Sequence, residues 1–299
     1  MNGQDRDFVP AVGFVLAGLA LATGLLPWTN LVAVGPVESV PGVLFGLLAL
    51  VGFGDRRYGA TDRRFSMLAG LGTGGVATAA GVTTLHPSAM TGSGVGVGVP
   101  LAFVLGLLGL GVATADYLEQ DRRALLRRGQ YATAGLFIGV TGLLVGFLFS
   151  MAVFFLLPES GTIATNGAGT AAFSVGLAVV ALGYLYYTDR DWSFLDIALP
   201  DRRGWLYVIG GTLTMFVILA VTGAITGILG IPSTEHGLVE QARDAPLILL
   251  AFVPLSWLVI GPGEELLSRN IVQKHLYDGF SRSASVVVGT AIFASIHLP

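Results

Sequence analysis

Residues 246–270 read PLILLAFVPLSWLVI and then GPGEELLSRN, so a long apolar run leads directly into two adjacent acids, Glu264 and Glu265. The run has the length and composition of a membrane-spanning helix. An ionised side chain at membrane depth costs several kcal/mol, so acids kept in such a place indicate a function. The rest of the chain is equally apolar, with 53% hydrophobic and only 12% charged residues among 299. Its mean hydropathy is +0.75. This composition excludes an ordinary soluble protein.

Nine apolar blocks of similar character follow one another along the chain. They cover residues 9–28, 37–53, 66–85, 95–115, 131–157, 169–187, 206–229, 246–263 and 284–298. The second block is short, with Glu38 near its start and Pro41 inside it, which leaves its boundary open. The 43 glycines of the chain let helices approach closely in lipid. We predict an all-α fold, a multi-pass transmembrane bundle of about nine helices.

The basic residues support this count and predict the orientation. If every block spans, 15 of the 16 basic residues fall on one side, and only Arg243 falls on the other. Positive loops stay in the cytoplasm, so the N-terminus is predicted to be cytoplasmic. The start MNGQDRDF is too acidic for a cleaved signal peptide and indicates an uncleaved first helix. We predict a multi-pass protein of the plasma membrane.

Composition excludes several other classes of function. The chain has no cysteine, so it has no disulfide framework and no thiol nucleophile. A net charge of −3 indicates no nucleic-acid partner. Arginine outnumbers lysine 15 to 1, and aspartate outnumbers glutamate 12 to 7, which is compatible with a GC-rich prokaryotic source.

The same short signal precedes four of the predicted helices. Asp-Arg-Arg occurs at positions 62–64, 121–123 and 201–203, and Asp-Arg at 5–6. One interpretation is a repeated two-helix hairpin. The plainer interpretation, which we favour, is that each cluster anchors the cytoplasmic end of a helix.

A change of texture near residue 188 predicts a domain boundary. Residues 1–188 form six predicted helices with almost no ionisable residue inside them, a membrane region of unknown role. Residues 189–299 then begin with an amphipathic stretch that includes Trp192 and Trp205, suited to the inner membrane interface. They continue into the acid-containing segment.

The spacing of the charged residues gives the two acids different roles. Glu265 and Arg269 are four residues apart and share one face of a helix, so they can pair. Glu264 points about 100° away from Glu265 around the helix axis. A carboxylate held away from cations in a low dielectric can act as a general base near neutral pH. Pro262 is predicted to disturb the helix and admit water. The alternative is that GPGEE ends the eighth helix and both acids are solvated at the cytoplasmic surface.

His297 lies roughly 20 Å along the ninth predicted helix from Ser283, at a rise of 1.5 Å per residue. If the eighth helix runs on to Lys274, Glu264 lies about 15 Å from its inner end. The acid and the imidazole are therefore predicted at similar depths on consecutive helices. Phe293 lies four residues before His297 on the same face and can help to fix the ring.

EELLSR followed by FASIH resembles the CPBP family of CAAX-processing and bacteriocin-processing intramembrane proteases. That family carries E-E-x-x-x-R and F-x-x-x-H on consecutive transmembrane helices, which here match Glu264, Glu265, Arg269, Phe293 and His297. The resemblance covers about residues 190–299. It implies an intramembrane endopeptidase that cleaves a peptide or protein at the lipid bilayer, on its cytosolic side.

The resemblance also implies roles for these residues. Glu264 would activate water, Arg269 would orient the acids, and His297 would bind the water, a metal or the developing oxyanion. The family is described as metalloproteases, so a zinc or other divalent ion held by Glu264 and His297 is expected. A further family helix with a second His is not present before Pro299. We therefore expect the protease-like domain to be C-terminally incomplete.

Two other functional classes compete with a protease. A proton-coupled transporter could use the acids and His297 as a relay, but it would need polar residues in several helices of both halves. A non-catalytic membrane scaffold or immunity-type protein could keep the fold without the chemistry.

Other motifs are weaker. Gly52–Asp55 matches the G-x-G-D of aspartyl intramembrane proteases, but it is predicted to lie in a loop, as is the Tyr277-Asp278 pair. His275 is predicted to be a solvated loop residue, and His86 and His236 to lie on the outer face.

Overall fold

The computed structural model describes residues 3–25, 36–59, 62–84, 98–157, 162–198, 200–228, 243, 246 and 248–296. Nine helices account for most of these residues, and no strand occurs among them. The helices are α1 Gly3–Leu25, α2 Pro36–Tyr58, α3 Arg64–Thr84, α4 Gly98–Tyr117, α5 Arg122–Leu156, α6 Thr162–Tyr187, α7 Arg202–Ile228, α8 Ile248–Leu276 and α9 Arg282–Ile296.

Each predicted block corresponds to one helix, so the all-α, multi-pass fold class is confirmed. Within the described ranges, six helices are long and apolar enough to cross a membrane, namely α3, α4, α5, α6, α7 and α8. The apolar parts of α1 and α9, Asp7–Thr23 and Arg282–Phe293, are shorter. Pro41 lies inside α2 and does not mark its boundary. The cytoplasmic position of the N-terminus stays a prediction.

The aspartate of each Asp-Arg-Arg cluster caps the helix that follows it. A side-chain oxygen of Asp62 accepts from the backbone N–H of Arg64 at 2.9 Å. Asp121 accepts from Ala124 at 2.7 Å, and Asp201 from the N–H of residue 204 at 2.6 Å. Such bonds satisfy N–H groups that the first turn of a helix leaves without partners. The motif thus recurs at helix starts, and its role as an anchor at the cytoplasmic ends of helices stays a prediction.

The chain divides into two compact units. The first unit comprises Met1–Gly135 together with Leu276–Pro299, and the second comprises Leu136–His275. Helix α5 contributes to both. The functional boundary near residue 188, inferred from composition, stays a prediction.

In the first unit, helices α1 to α4 form a closed ring in which each helix packs on two others. Glycines permit the close approaches. A Cβ added to Gly52 of α2 would lie 2.5 Å from the backbone nitrogen of Ala69 in α3, and one added to Gly106 of α4 would lie 2.7 Å from that of Ala77. Because no side chain fits at such distances, small residues determine how tightly this ring packs.

The first unit also contains a buried ion pair at one end of the ring. Asp116 of α4 is 3% exposed and accepts from Arg56 of α2 at 2.8 and 3.0 Å. The Ser66 hydroxyl of α3 donates to the same carboxylate at 2.5 Å. Residues 1–188, whose helices are expected to hold almost no ionisable residue, thus contain a buried carboxylate in the last turn of α4. Asp116 lies in the last turn of α4 beside a charged loop, and the sequence pattern assigns it to that loop.

The turn between α8 and α9 is held by the first part of α5, and these residues all belong to the first unit. Arg127 donates from a guanidinium nitrogen to the carbonyl of Asp278 at 2.7 Å. Gly279 lies against the ring of Tyr131, where a Cβ would overlap the ring atoms. The start of α9 is thereby fixed relative to α5.

In the second unit, α6 packs on α8 along a core of aliphatic side chains. Its buried members are Leu177, Ala181, Leu185, Leu195, Leu267 and Ile271. By contrast, α7 is exposed at every position from Trp205 to Ile225. Its apolar side chains are suited to lipid contact, since a bilayer is as apolar as the side chains themselves.

The buried ion pair of the first unit can be compared with an exposed one nearby. We expect Asp116→Ala to destabilise the protein by about 3–5 kcal/mol, because it leaves a buried guanidinium without its carboxylate. Glu119→Ala removes the exposed Arg63–Glu119 pair and is expected to cost under about 1 kcal/mol. Thermal unfolding in detergent micelles measures both, and equal shifts in the midpoint would contradict the structural role of Asp116.

Candidate active site

Helix α8 contains two π-helical segments, one on each side of the acid pair. It is α-helical over Ile248–Leu255, π-helical over Ser256–Ile260, α-helical over Gly261–Glu265, π-helical over Leu266–Gln273 and α-helical again over Lys274–Leu276. The N–H of Gly261 reaches back five residues to the carbonyl of Ser256. Pro262 has no N–H, and its ring crowds the carbonyl four residues earlier, which disfavours a regular α-helix. The predicted disturbance at Pro262 thus takes the form of wider turns, which are frequent at functional sites.

The buried residues of α8 follow the period of a π-helix. From Gly263 onward they are Gly263, Leu267, Ile271, Val272 and Leu276, of which Ile271 and Val272 are adjacent and the others follow at intervals of four residues. On a regular α-helix of 3.6 residues per turn, this series would wind around the axis and leave the core. With hydrogen bonds from residue i to i+5, it stays on one face. The polar residues between them are consequently kept on the other faces.

Gly263 lies directly against the backbone of α6. A Cβ added there would lie 2.5 Å from the carbonyl oxygen of Ser174 and 2.9 Å from its Cβ. No side chain other than hydrogen fits at this contact without moving one of the helices. The residue immediately before Glu264 is therefore fixed in position by the neighbouring helix.

Glu265 and Arg269 form the ion pair that their spacing predicts. The guanidinium nitrogen Nη1 lies 3.3 Å from the carboxylate oxygen Oε2, and the side chains are 69% and 58% exposed for Arg269 and Glu265. An exposed pair of this kind contributes at most about 1 kcal/mol to stability. The pair matters for the orientation of the side chains, because it directs the Arg269 guanidinium toward Glu265.

Glu264 is half-buried and has a different environment from Glu265. Its carboxylate forms no ion pair with any residue that the structure describes. Its backbone carbonyl accepts a hydrogen bond from the Ser268 hydroxyl at 2.6 Å. Among the residues that the structure describes, Glu265 is thus paired with a cation and the adjacent Glu264 is not.

His297 lies outside the described residues, so its approach to Glu264 stays a prediction. Phe293 is in the described part of α9 and is 37% exposed. Among the described residues, no three His, Cys, Asp or Glu side chains form a group that could hold a metal ion. A zinc site is therefore not assembled from these residues alone.

His275 is not the solvated loop residue that the sequence suggests. Because α8 continues to Leu276, His275 lies in its last turn, half-buried, with Nδ1 3.1 Å from the hydroxyl of Tyr184. Asp55 likewise lies inside α2 and not in a loop, although its side chain is exposed. His86 and His236 lie outside the described residues.

The contact of Gly263 with Ser174 provides a test of the packing of α8 on α6. We expect Gly263→Val to destabilise the second unit by about 1–3 kcal/mol, because the added atoms overlap the Ser174 backbone. The control is Gly211→Val in α7, where a Cβ would meet nothing within 4 Å. That change is expected to alter stability by less than about 0.5 kcal/mol. Thermal unfolding in micelles compares the two, and a smaller effect at 263 than at 211 would contradict the described contact.

Comparison with known proteins agrees with the motif in α8. Residues 246–299 match the family model described as Type II CAAX prenyl endopeptidase Rce1-like. Comparisons with curated proteins and with solved structures found no match. The matched range includes the residues of both motifs, Glu264, Glu265, Arg269, Phe293 and His297. Residues 246–299 are therefore similar to the Rce1-like endopeptidases of the CPBP family.

Proposed function

We propose that the chain is an intramembrane endopeptidase of the CPBP type, which hydrolyses a peptide bond with water activated by Glu264. The observation that carries this proposal is the separation of the two acids on α8. Glu265 is paired with Arg269, whereas Glu264 has no such partner among the described residues. This separation occurs inside the segment that matches the Rce1-like family.

In the proposed mechanism, the Glu264 carboxylate takes a proton from a water molecule as the water oxygen attacks the scissile carbonyl carbon. The tetrahedral intermediate then collapses, the C–N bond breaks, and Glu264 returns the proton to the leaving nitrogen. The products are a new carboxyl terminus and a new amine. We propose that His297 holds the water or stabilises the oxyanion, and that Arg269 keeps Glu265 away from the reacting atoms.

We propose that the reaction occurs in the cytosolic half of the bilayer. Lys274 in the last turn of α8 and Arg282 at the start of α9 flank the short turn between these helices, and positive segments of this kind stay in the cytoplasm. The substrate class is a peptide or protein that reaches the membrane from this side.

A divalent metal between Glu264 and His297 stays a proposal. Glu264 is the one of these two residues that the structure describes, and the neighbouring Glu265 is already paired with Arg269. A bound zinc would supply a Lewis acid that polarises the scissile carbonyl.

The role of Glu264 can be tested without a known substrate. We expect Glu264→Gln to reduce cleavage at least about a hundredfold, because the amide cannot accept the proton. Glu265→Gln keeps Glu264 and should retain measurable activity. Membrane proteins from cells that produce each variant can be compared for new C-termini by mass spectrometry, and cleavage in H₂¹⁸O should add one labelled oxygen to each new carboxylate.

Full cleavage by the Glu264→Gln variant would contradict the role of Glu264 as the base, whereas no new C-termini with the unaltered chain would favour a non-catalytic scaffold. Correct insertion of each variant is verified by its detergent-solubilised yield and unfolding midpoint, so that loss of folding is not mistaken for loss of chemistry.

The metal proposal has its own test. If Glu264 and His297 hold a catalytic zinc, incubation with a strong chelator should abolish cleavage, and added Zn²⁺ should restore it. The stability of the protein should fall little on chelation, because the described fold contains no cluster of metal ligands. Unchanged cleavage after removal of all bound metal, verified by elemental analysis, would show that the glutamate acts without it.

A further inference from the structure

Residues 191–197, here called the strap, connect α6 to the segment before α7 and lie against α8. The strap begins with a 3₁₀ turn at Trp192–Phe194 and continues in extended backbone at Leu195. Leu195 is 6% exposed and packs in the cluster that contains Leu267 and Ile271. Both of those residues belong to the π-helical part of α8, Leu266–Gln273. The apolar side of the strap therefore contacts this segment.

Two polar residues of α8, Asn270 and Lys274, bind the strap through its backbone and through Asp196. The backbone N–H of Asp196 donates to the side-chain carbonyl of Asn270 at 2.8 Å. The ammonium of Lys274 donates to the carbonyl of Phe194 and pairs with the Asp196 carboxylate at 2.8 Å. It also lies 5.1 Å from the centre of the Phe194 ring, a cation–π distance. Lys274 is only 17% exposed, whereas the Asp196 side chain is 78% exposed, so water reaches the ion pair from the aspartate side.

These contacts depend on the winding of α8. A π-helix is rare because its hydrogen-bond geometry is less favourable than that of an α-helix, and most examples are single turns. The Leu266–Gln273 segment has eight residues, so contacts from outside the helix must favour it. If the segment returned to α-helical winding, its C-terminal side chains would rotate relative to Glu264. Leu267, Asn270 and Lys274 would then not all face the strap.

We propose that Asn270 and Lys274 are positioning residues, which act through the strap to keep Leu266–Gln273 in the π-helical register. That register keeps Leu267 and Ile271 in the core and thereby fixes the rotation of Arg269, the partner of Glu265, relative to that core. The inference rests on the proposed function, since its purpose is to maintain the separation of the acids. Neither residue touches the reacting atoms in the proposed mechanism.

Removal of the strap contacts should slow the chemical step. We expect Lys274→Met and Asn270→Ala each to lower kcat by about ten- to a hundredfold with KM changed less than about threefold, because Arg269 is displaced from Glu265 beside the base while the substrate surface is intact. Lys274→Arg keeps the cation and should recover part of kcat. The matched control is Arg282→Met, which removes an exposed cation outside the strap and should leave kcat unchanged.

A covalent strap gives the decisive comparison. The chain has no cysteine, so Asp196→Cys combined with Asn270→Cys introduces the sole pair that oxidation can join. The reduced double variant should have low kcat, and oxidation should restore it, because the disulfide replaces the lost hydrogen bond. The yield of this disulfide should fall when Lys274→Met is added, and this readout does not require proteolysis.

The outcomes separate the two proposals. Loss of cleavage in Glu264→Gln, together with restoration by the disulfide, supports both. If Glu264→Gln cleaves normally, the proposed function fails, and the disulfide yield with and without Lys274→Met still tests the strap. Wild-type kcat in Lys274→Met, failure of the disulfide to form, or a disulfide that forms without restoring kcat would each overturn the positioning role.

Discussion

The contact between Gly263 of α8 and the backbone of Ser174 in α6 is the constraint on which the candidate site depends. It allows α8 to lie so close to α6 that only hydrogen fits between them. Because Glu264 follows Gly263 directly, its position relative to α6 is fixed by a backbone contact, not by a flexible side chain. The π-helical winding on either side then keeps Leu267 and Ile271 in the same core. Position and rotation of the acids therefore have separate physical causes.

Much of this arrangement is predictable from local spacing. Nine long apolar blocks predict nine helices because a backbone in lipid must satisfy its own hydrogen bonds. The four-residue interval between Glu265 and Arg269 predicts their ion pair, since i and i+4 share a helix face. Pro262 predicts a disturbance of the helix because it has no N–H to donate. Each inference needs only a few neighbouring residues.

The features that escaped prediction depend on contacts between distant residues. Asp116 looks like part of a charged loop, and only the fold brings it to Arg56, 60 residues away. His275 and Lys274 likewise gain their partners from α6 and the strap. The π-helical segment of α8 is visible in the sequence, because the apolar positions from Gly263 to Leu276 recur every four to five residues. A search for the 3.6-residue period alone does not detect it. The relation of His297 to Glu264 stays a prediction.

The buried Asp116 carboxylate has a consequence for the biogenesis of the protein. Its donors, Arg56 and Ser66, lie on α2 and α3, which are synthesised before α4. The ring of the first four helices is also completed by α4, which packs on both α3 and α1. The membrane-insertion machinery must therefore accommodate α1, α2 and α3 without their packing partner until α4 enters the membrane. If synthesis stops or pauses before residue 116, Arg56 lacks the Asp116 carboxylate that it binds in the complete ring. Such an incomplete assembly is a natural substrate for quality control in the membrane.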